Sequence, residues 1–361
     1  MTAISCTHLR DAFARLRRDT RARHRDIASQ LGVSEGELVA AHVTPPGSET
    51  ATLMRARRLQ PAWPQIIESL EAVGDVMALT RNGSCVHEKV GTYVNSSHMG
   101  HIGLVVGPAI DLRVFYRRWA HGFAVHEITP NGPQRSLQFF DVAGTAIHKV
   151  FVRAGSDAEA WETLVATFSA NLQAPGIEVH PAEASPADRP DADIDVPALR
   201  QAWASMRDTH QFFGLLKQHG VSRRQAFRLA DPRFVQRVEP DAATLALNAA
   251  AEGGVPLMVF VGNPGMIQIH TGPVKKVAAM GPWLNVLDEG FNLHLRTDHV
   301  ASAWVVGKPT SDGLVTSLEL FDDRGETIAM LFGERKPGRP ELPAWRSLID
   351  ALVQETTPCM A

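Results

Sequence analysis

The chain has 361 residues, 44% of them hydrophobic, enough for one large domain or two ordinary ones. Its 36 basic and 39 acidic residues leave a net charge of -3, so bulk charge gives no reason to expect nucleic acid or an anionic membrane as partner. The sparse cysteines Cys6, Cys85 and Cys359 form no CxxC; with no apolar signal core and no run near the ~20 apolar residues of a membrane span, a soluble cytoplasmic protein with free thiols is expected.

The first half opens with two helical segments, the first ended by Gly32. Ser34-Glu-Gly-Glu37 reads as a capping box for the second: the Ser hydroxyl takes an orphan amide and Glu37 reaches back. Short runs rich in Val, Ile, Leu, Phe and Trp follow, among them "HIGLVVG" (101–107), "IDLRVFYRRW" (110–119) and "SLQFFDVAGTAIHKVFVR" (136–153). Their alternation and their Gly, Asn and Pro punctuation predict antiparallel strands and hairpins, and a helix around Trp161 closes the half. The segment 174–198, "APGIEVHPAEASPADRPDADIDVPA", is rich in Pro, Ala and Asp and cannot bury a core; it reads as an exposed linker.

Beyond it the same order of elements returns. "RDTHQFFGLLKQHG" (207–220) reads as the end of an amphipathic helix, with Phe212, Leu215 and Leu216 on its apolar side, His210 beside that side, and Gly220 as its stop. Ser222-Arg-Arg-Gln225 repeats the capping box, "DDRGETIAM" (322–330) repeats the hairpin turn, and a helix around Trp345 closes the chain.

The repetition holds residue by residue. At a shift of 181, Asn82 faces Asn263, Met99-Gly100 faces Met280-Gly281, Phe140-Asp141 faces Phe321-Asp322, and Gly144 faces Gly325. The flanking helices align at slightly different shifts, "LGVSEGELVAA" (31–41) with "HGVSRRQAFRL" (219–229) at 188. The predicted fold is α+β: an internal duplication, with N-terminal repeat 1–173, linker 174–198 and C-terminal repeat 199–361, each repeat a large antiparallel sheet packed by helices.

Several chemistries lack their parts. The chain holds no HExxH, no Cys/His spacing for zinc, no GxSxG, no P-loop and no GxGxxG. His98, His101 and His121 are scattered over strands and loops. The two capped hairpins could imitate a helix-turn-helix, but the first copy carries Glu35 and Glu37 where a DNA reader needs cations, and only Arg223, Arg224 and Arg228 in the second suit phosphates. A hairpin packed on a sheet is the ordinary reading, and exposure of those three arginines would be needed to overturn it. The ordinary role of His210 is likewise a core histidine. Yet it faces Ala22 in the other repeat, so the fold does not require an imidazole there; Arg113 similarly faces His294, and Phe115 faces Arg296. Positions that differ between copies are candidates for function.

"DTHQFFGLLKQHGVSRRQAFRLA", "GHIGLVVGPAIDLRVF", "PWLNVLDEGFNLHLR" and "WVVGKPTSDGLVTSLELFD" together resemble the HemS/HmuS-type haemin-degrading and haem-trafficking proteins of bacterial haem uptake, over nearly the whole chain. The resemblance implies one haem b (iron protoporphyrin IX) in the cleft between the halves. It implies that His210 of the His-x-Phe-Phe helix is the proximal iron ligand and that Arg113 of Asp-Leu-Arg-x-Phe is the distal arginine. Phe115 and Phe213 become the aromatic walls, and Arg223, Lys308 and Arg335 the cations near the propionates. These are the parts a flat apolar disc with two anionic arms needs. Arg113, the candidate catalytic residue, could hydrogen-bond a water or oxygen at the iron but cannot act as a general acid. The implied function is to receive imported haem, then either to oxidise it at a meso carbon, releasing iron and a linear tetrapyrrole, or to hand it on. The implied partners are a haem-importer ATPase or permease, or a haem oxygenase, as donor or acceptor. The pocket suits enzyme and carrier alike, and no motif reveals an electron donor. A carrier or sensor without turnover is the alternative reading, a DNA-binding regulator the weaker one.

Overall fold

In the computed structural model of the chain, residues 5–20, 22–44, 52–182, 186–336 and 338–356 are described. The chain forms two compact units of interleaved segments. The first is Met1–Arg81, Glu88–Glu183 and Asn263–Gln268; the second is Asn82–His87, Ala184–Gly262 and Ile269–Ala361. The unit boundaries therefore differ from a simple cut at the linker: 82–87 and 263–268 change sides. These two segments correspond at the shift of 181, so the departure from contiguity itself obeys the duplication. An asparagine holds each turn. The Asn82 side-chain amide donates to the carbonyls of Gly262 and Ile328, and that of Asn263 donates to those of Arg81 and Ile147.

The first half runs α1 (Cys6–Asp19), α2 (His24–Gln30), α3 (Glu35–Ala41), β1 (Met54–Arg58), α4 (Trp63–Val73), β2 (Val76–Arg81), β3 (Cys85–Gly91), β4 (Ser96–Met99), β5 (Ile102–Val106), β6 (Asp111–Phe115), β7 (His121–Thr129), β8 (Gly132–Phe140), β9 (Ala146–Val152) and α5 (Ala158–Phe168). Its strands are ordered β1-β7-β8-β9-β2-β3, and β4-β5-β6 form a meander. The sheet has a helix layer on each face. Phe123 and Val125 of β7 pack with Leu9, Phe13, Ile27 and Leu38 of α1–α3, while Ala124 packs with Ile66, Leu70, Trp161 and Leu164 of α4 and α5. A strand covered on both faces has no solvent phase, and β9 is buried along nearly its whole length, His148 and Lys149 included.

The second half runs α6 (Val196–Ala204), α7 (Gln211–His219), α8 (Arg223–Leu229), β10 (Val235–Val238), α9 (Ala242–Gly253), β11 (Leu257–Asn263), β12 (Met266–Gly272), β13 (Val277–Met280), β14 (Trp283–Asp288), β15 (Phe291–Arg296), β16 (Ser302–Thr310), β17 (Gly313–Phe321), β18 (Thr327–Gly333) and α10 (Pro343–Thr356). The order β10-β16-β17-β18-β11-β12 and the meander β13-β14-β15 repeat the first half. Both long hairpins carry a bulge at matching places, Phe139/Phe140 and Leu320/Phe321, beside turns where Gly144 and Gly325 take φ of 73° and 85°. The predicted α+β duplication is thus the observed fold.

Local differences have physical causes. Each half opens with three helices, not two: α1 stops at Thr20 and α6 at Ser205, ahead of the breaks at Gly32 and Gly220. The end of the expected linker is helical: Pro197 sits in the first turn of α6 and Asp195 caps it by accepting from the Ala198 amide. The capping box at Ser34 is complete, with Glu37 reaching back. The one at Ser222 is half-made, since the Gln225 amide turns away to the Arg189 carbonyl and to Asp191. Cys6 and Cys85 are free thiols, and Cys359 lies outside the described residues.

Candidate functional site

The segment around His210 differs from its sequence reading. The helix begins at Gln211, and His210 is its N-cap, almost fully solvent-exposed at 93%. Three features hold it. The Gln211 side-chain oxygen accepts from the amides of Arg207 (2.8 Å) and Asp208 (3.3 Å). The Arg207 carbonyl accepts from the Ser311 amide at the β16–β17 turn (2.9 Å). Asp208 accepts both from the His210 amide (2.8 Å) and from its Nδ1 (2.7 Å). These two hydrogen bonds, amide first, hold the Asp208 carboxyl below its ordinary value, and the charge of Arg335 adds to the effect. An ionised carboxylate only accepts, so Nδ1 carries the hydrogen, and in the neutral ring the lone pair sits on Nε2, open to solvent. That is the tautomer and orientation of a metal-bound imidazole with its outer partner already in place.

One turn along α7, Phe213 is 77% exposed, while Phe212 and Leu215 are buried and root the helix. An imidazole lone pair beside an exposed aromatic ring fits the axial position and wall of a haem. Phe212 belongs to an aromatic cluster with Trp203, Phe227 and Phe321. Beneath it lie the cations. Arg223 meets Glu319 through Nε (2.5 Å) and Nη2 (2.9 Å), and Lys308 meets it through Nζ (2.6 Å). Lys308 is buried, and burial pushes its pKa down to about 8, Glu319 resisting the shift and Arg223 adding to it. Burial alone would raise the Glu319 pKa, but the two cations overcome it and hold it at about 2. So the Lys308 ammonium is engaged inside the unit and not displayed at a rim, and Arg223 is also ion-paired though partly exposed. Arg335 lies 3.9 Å from Asp312 and within electrostatic reach of Asp208, on the His210 side of the unit.

Arg113 and Phe115 belong to the first unit. Along β6, Leu112 and Val114 are fully buried, and Arg113 and Phe115 share the opposite, partly exposed face, as two-residue periodicity requires. Register pairs Arg113 with Leu104 and Phe115 with Ile102 across β5. With the exposed Met99, Ile102 and Val106, this makes an apolar face carrying one guanidinium. Arg113 is ion-paired to Asp111 on its own strand and donates to the Leu112 carbonyl at 3.1 Å.

Sequence reasoning placed Phe212 on the apolar side, where it is buried, but missed Asp208, Gln211 and Glu319. An Asp two residues before a histidine at a helix start was a readable signal. Glu319, a charge inside the apolar "SLELF", was readable only as an oddity. Among the described residues no group of three His, Cys, Asp or Glu is placed to hold a metal ion, and no helix is long and apolar enough to cross a membrane. Two basic side chains of α8 are engaged: Arg223 with Glu319, and Arg228 with Asp188 (3.6 Å) and Asp191 (2.7 Å). Arg224 is half-buried and Arg228 exposed, so of the three arginines the DNA-binding reading needed, two are committed to carboxylates and only one lies open on the surface.

A family model described as the haemin-degrading HemS.ChuX domain matches twice, at residues 32–168 and 220–352. The hemin transport protein HmuS of Yersinia pestis is 40% identical over 332 residues, 92% of this chain and 93% of that protein. Holo-PhuS, titled a heme-binding protein from Pseudomonas aeruginosa, is 47% identical, covers 96% of this chain and 99% of its own, and superposes with a TM-score of 0.91. ChuS, titled an E. coli heme oxygenase, is 39% identical with the same coverage and a TM-score of 0.83. The chain therefore belongs to the haemin-degrading HemS/ChuX-domain family.

Proposed function

We propose that this protein binds haem b in a bacterial haem-uptake system through an axial bond from His210, and that it works in the cytoplasm, receiving haem from an importer and degrading it or handing it to an acceptor such as a haem oxygenase. The observation that carries the reading is the His210 imidazole: exposed, tautomerically fixed by Asp208, and flanked by the exposed Phe213. Phe213 and Phe115 would supply apolar walls, Arg335 a cation for a propionate, and Arg113 a donor to whatever occupies the iron's other side. Arg223 and Lys308 would act from below, through the packing of α7. Haem supplies the oxygen chemistry; the chain's own groups bind, orient and hydrogen-bond.

Haem titration followed in the Soret band tests the assignment. His210→Ala should still take up haem, because apolar burial and carboxylate pairing remain, but with altered optical and spin-resonance spectra. Identical spectra would transfer the axial role to another residue. The relatives' titles support both a carrier and an oxygenase. Anaerobic haem loading, then reductant and oxygen with catalase present, separates the two: a linear tetrapyrrole marks an enzyme, intact haem a carrier.

A further inference from the structure

The C-terminal half buries a carboxylate for which the proposed chemistry has no direct use. Glu319 of β17 has no exposed surface, and Arg223, Lys308 and the Ser317 hydroxyl (2.9 Å) all donate to it. Both cations also lie against one ring. Lys308 Nζ is 4.9 Å, and Arg223 Cζ 5.0 Å, from the centroid of Phe212. Phe212 follows His210 by two residues and anchors α7 in the core. The path from Glu319 to the imidazole is therefore short: two cations fixed by one carboxylate, one ring held by the cations, one helix start held by the ring. Without Glu319 the buried ammonium and the half-buried guanidinium would repel and leave the ring.

The other half has a related cluster with carboxylates at the two flanking positions and a neutral residue at the place of Glu319. At the shift of 188, Phe212 corresponds to His24 and Arg223 to Glu35; at 181, Lys308 corresponds to Glu127 and Glu319 to Gln138. There the central ring is an imidazole between two carboxylates, Nε2 2.7 Å from Glu35 and Nδ1 2.8 Å from Glu127, with Lys149 and Arg17 closing the cluster. The fold thus accepts either polarity. The glutamate-centred version accompanies the half that carries His210, where the other half has Ala22.

We infer that Glu319 is the positioning residue of the axial ligand: by fixing Lys308 and Arg223 against Phe212, it sets the placement of α7 and so of His210. The inference rests on the haem-binding role proposed for His210. The test is a cycle on the full chain. Glu319→Asp keeps the charge but withdraws it by one methylene. Haem affinity and spin-resonance signals are measured for wild type and Glu319→Asp, then for both in a His210→Gly background with free imidazole as the ligand. Because free imidazole is not attached to α7, it can re-seat. The expected result is a roughly tenfold loss of affinity and shifted g-values when His210 is the ligand, and less than about a twofold loss when imidazole replaces it. Equal losses in the two backgrounds, or none in either, overturn the role of Glu319. If Glu319→Asp does not fold, the double variant Lys308→Met/Glu319→Gln, which removes the buried pair together, enters the same cycle with the same criteria. A wild-type spectrum indifferent to His210→Gly removes the ligand assignment itself, an outcome distinct from a His210-dependent spectrum with equal losses.

Discussion

Arg113 and Glu319 show how differently two charged side chains on strands can behave. Arg113 is about one-third exposed and paired to Asp111, a contact worth less than about 1 kcal/mol at a surface. If that were its whole role, Arg113→Ala would leave bound haem unchanged. As a donor on the distal side it should matter to the sixth position: azide titration of the ferric proteins should show a dissociation constant raised about tenfold, the worth of one charge-assisted hydrogen bond. Equal constants would take Arg113 out of the site. Glu319 acts through stability as well. Its folded pKa of about 2 lies below its ordinary 4.5, so the stability it contributes is complete above about 4.5 and is lost as pH falls toward 2. Lys308 works oppositely at the alkaline end. Its folded value of about 8 lies below 10.5, so the cost of burying its charge is fully present below pH 8 and is relieved as pH rises toward 10.5. Denaturant unfolding of wild type should show stability falling by roughly 3 kcal/mol between pH 4.5 and 2 from Glu319. The double variant Lys308→Met/Glu319→Gln should have a shallower acid slope; an unchanged slope would assign the acid loss to other groups.

At the scale of elements, legibility followed the range of the forces involved. The Ser34 capping box, the Gly144 and Gly325 turns and the alternation of Leu112, Arg113, Val114 and Phe115 were readable because each depends on neighbours in sequence. The start of α7 was only partly so. Asp208 and Gln211 set the boundary by capturing amides two to four residues away, a local signal, but the Ser311 contact that fixes the loop comes from about a hundred residues away. The ion pairs of Arg223 and Lys308 were illegible for the same reason, since Glu319 is a neighbour only in the folded chain. Gln211 gives a direct check on this view of the boundary. Gln211→Ala leaves the Arg207 and Asp208 amides without their acceptor, and a stability loss of about 1 kcal/mol is expected in urea titration. No loss would mean that the loop before His210 is ordered without it.

For the whole molecule, the duplication bears on stoichiometry. The halves share strand order, bulges, paired turn glycines and even the exchanged segments 82–87 and 263–268, so the fold alone provides the means for two equivalent sites. The chemistry is not duplicated. His210 stands where the first half has Ala22, and Phe212 between cations stands where His24 lies between carboxylates. Arg113 on β6 is matched by His294 on β15, whose Nδ1 lies 2.7 Å from the Asn285 side-chain oxygen. A second haem would have to use a first-half helix layer with no imidazole at the ligand position, where the residue matching Phe212 is a histidine tied up between two carboxylates. One haem per chain is therefore expected, with the first half's helices serving as scaffold. A Soret titration should break at one equivalent, and the break should persist in Ala22→His, because the reversed charges around His24 remain. A clean end point at two equivalents in the wild-type protein would show that the fold's symmetry, and not the asymmetry of its side chains, governs binding.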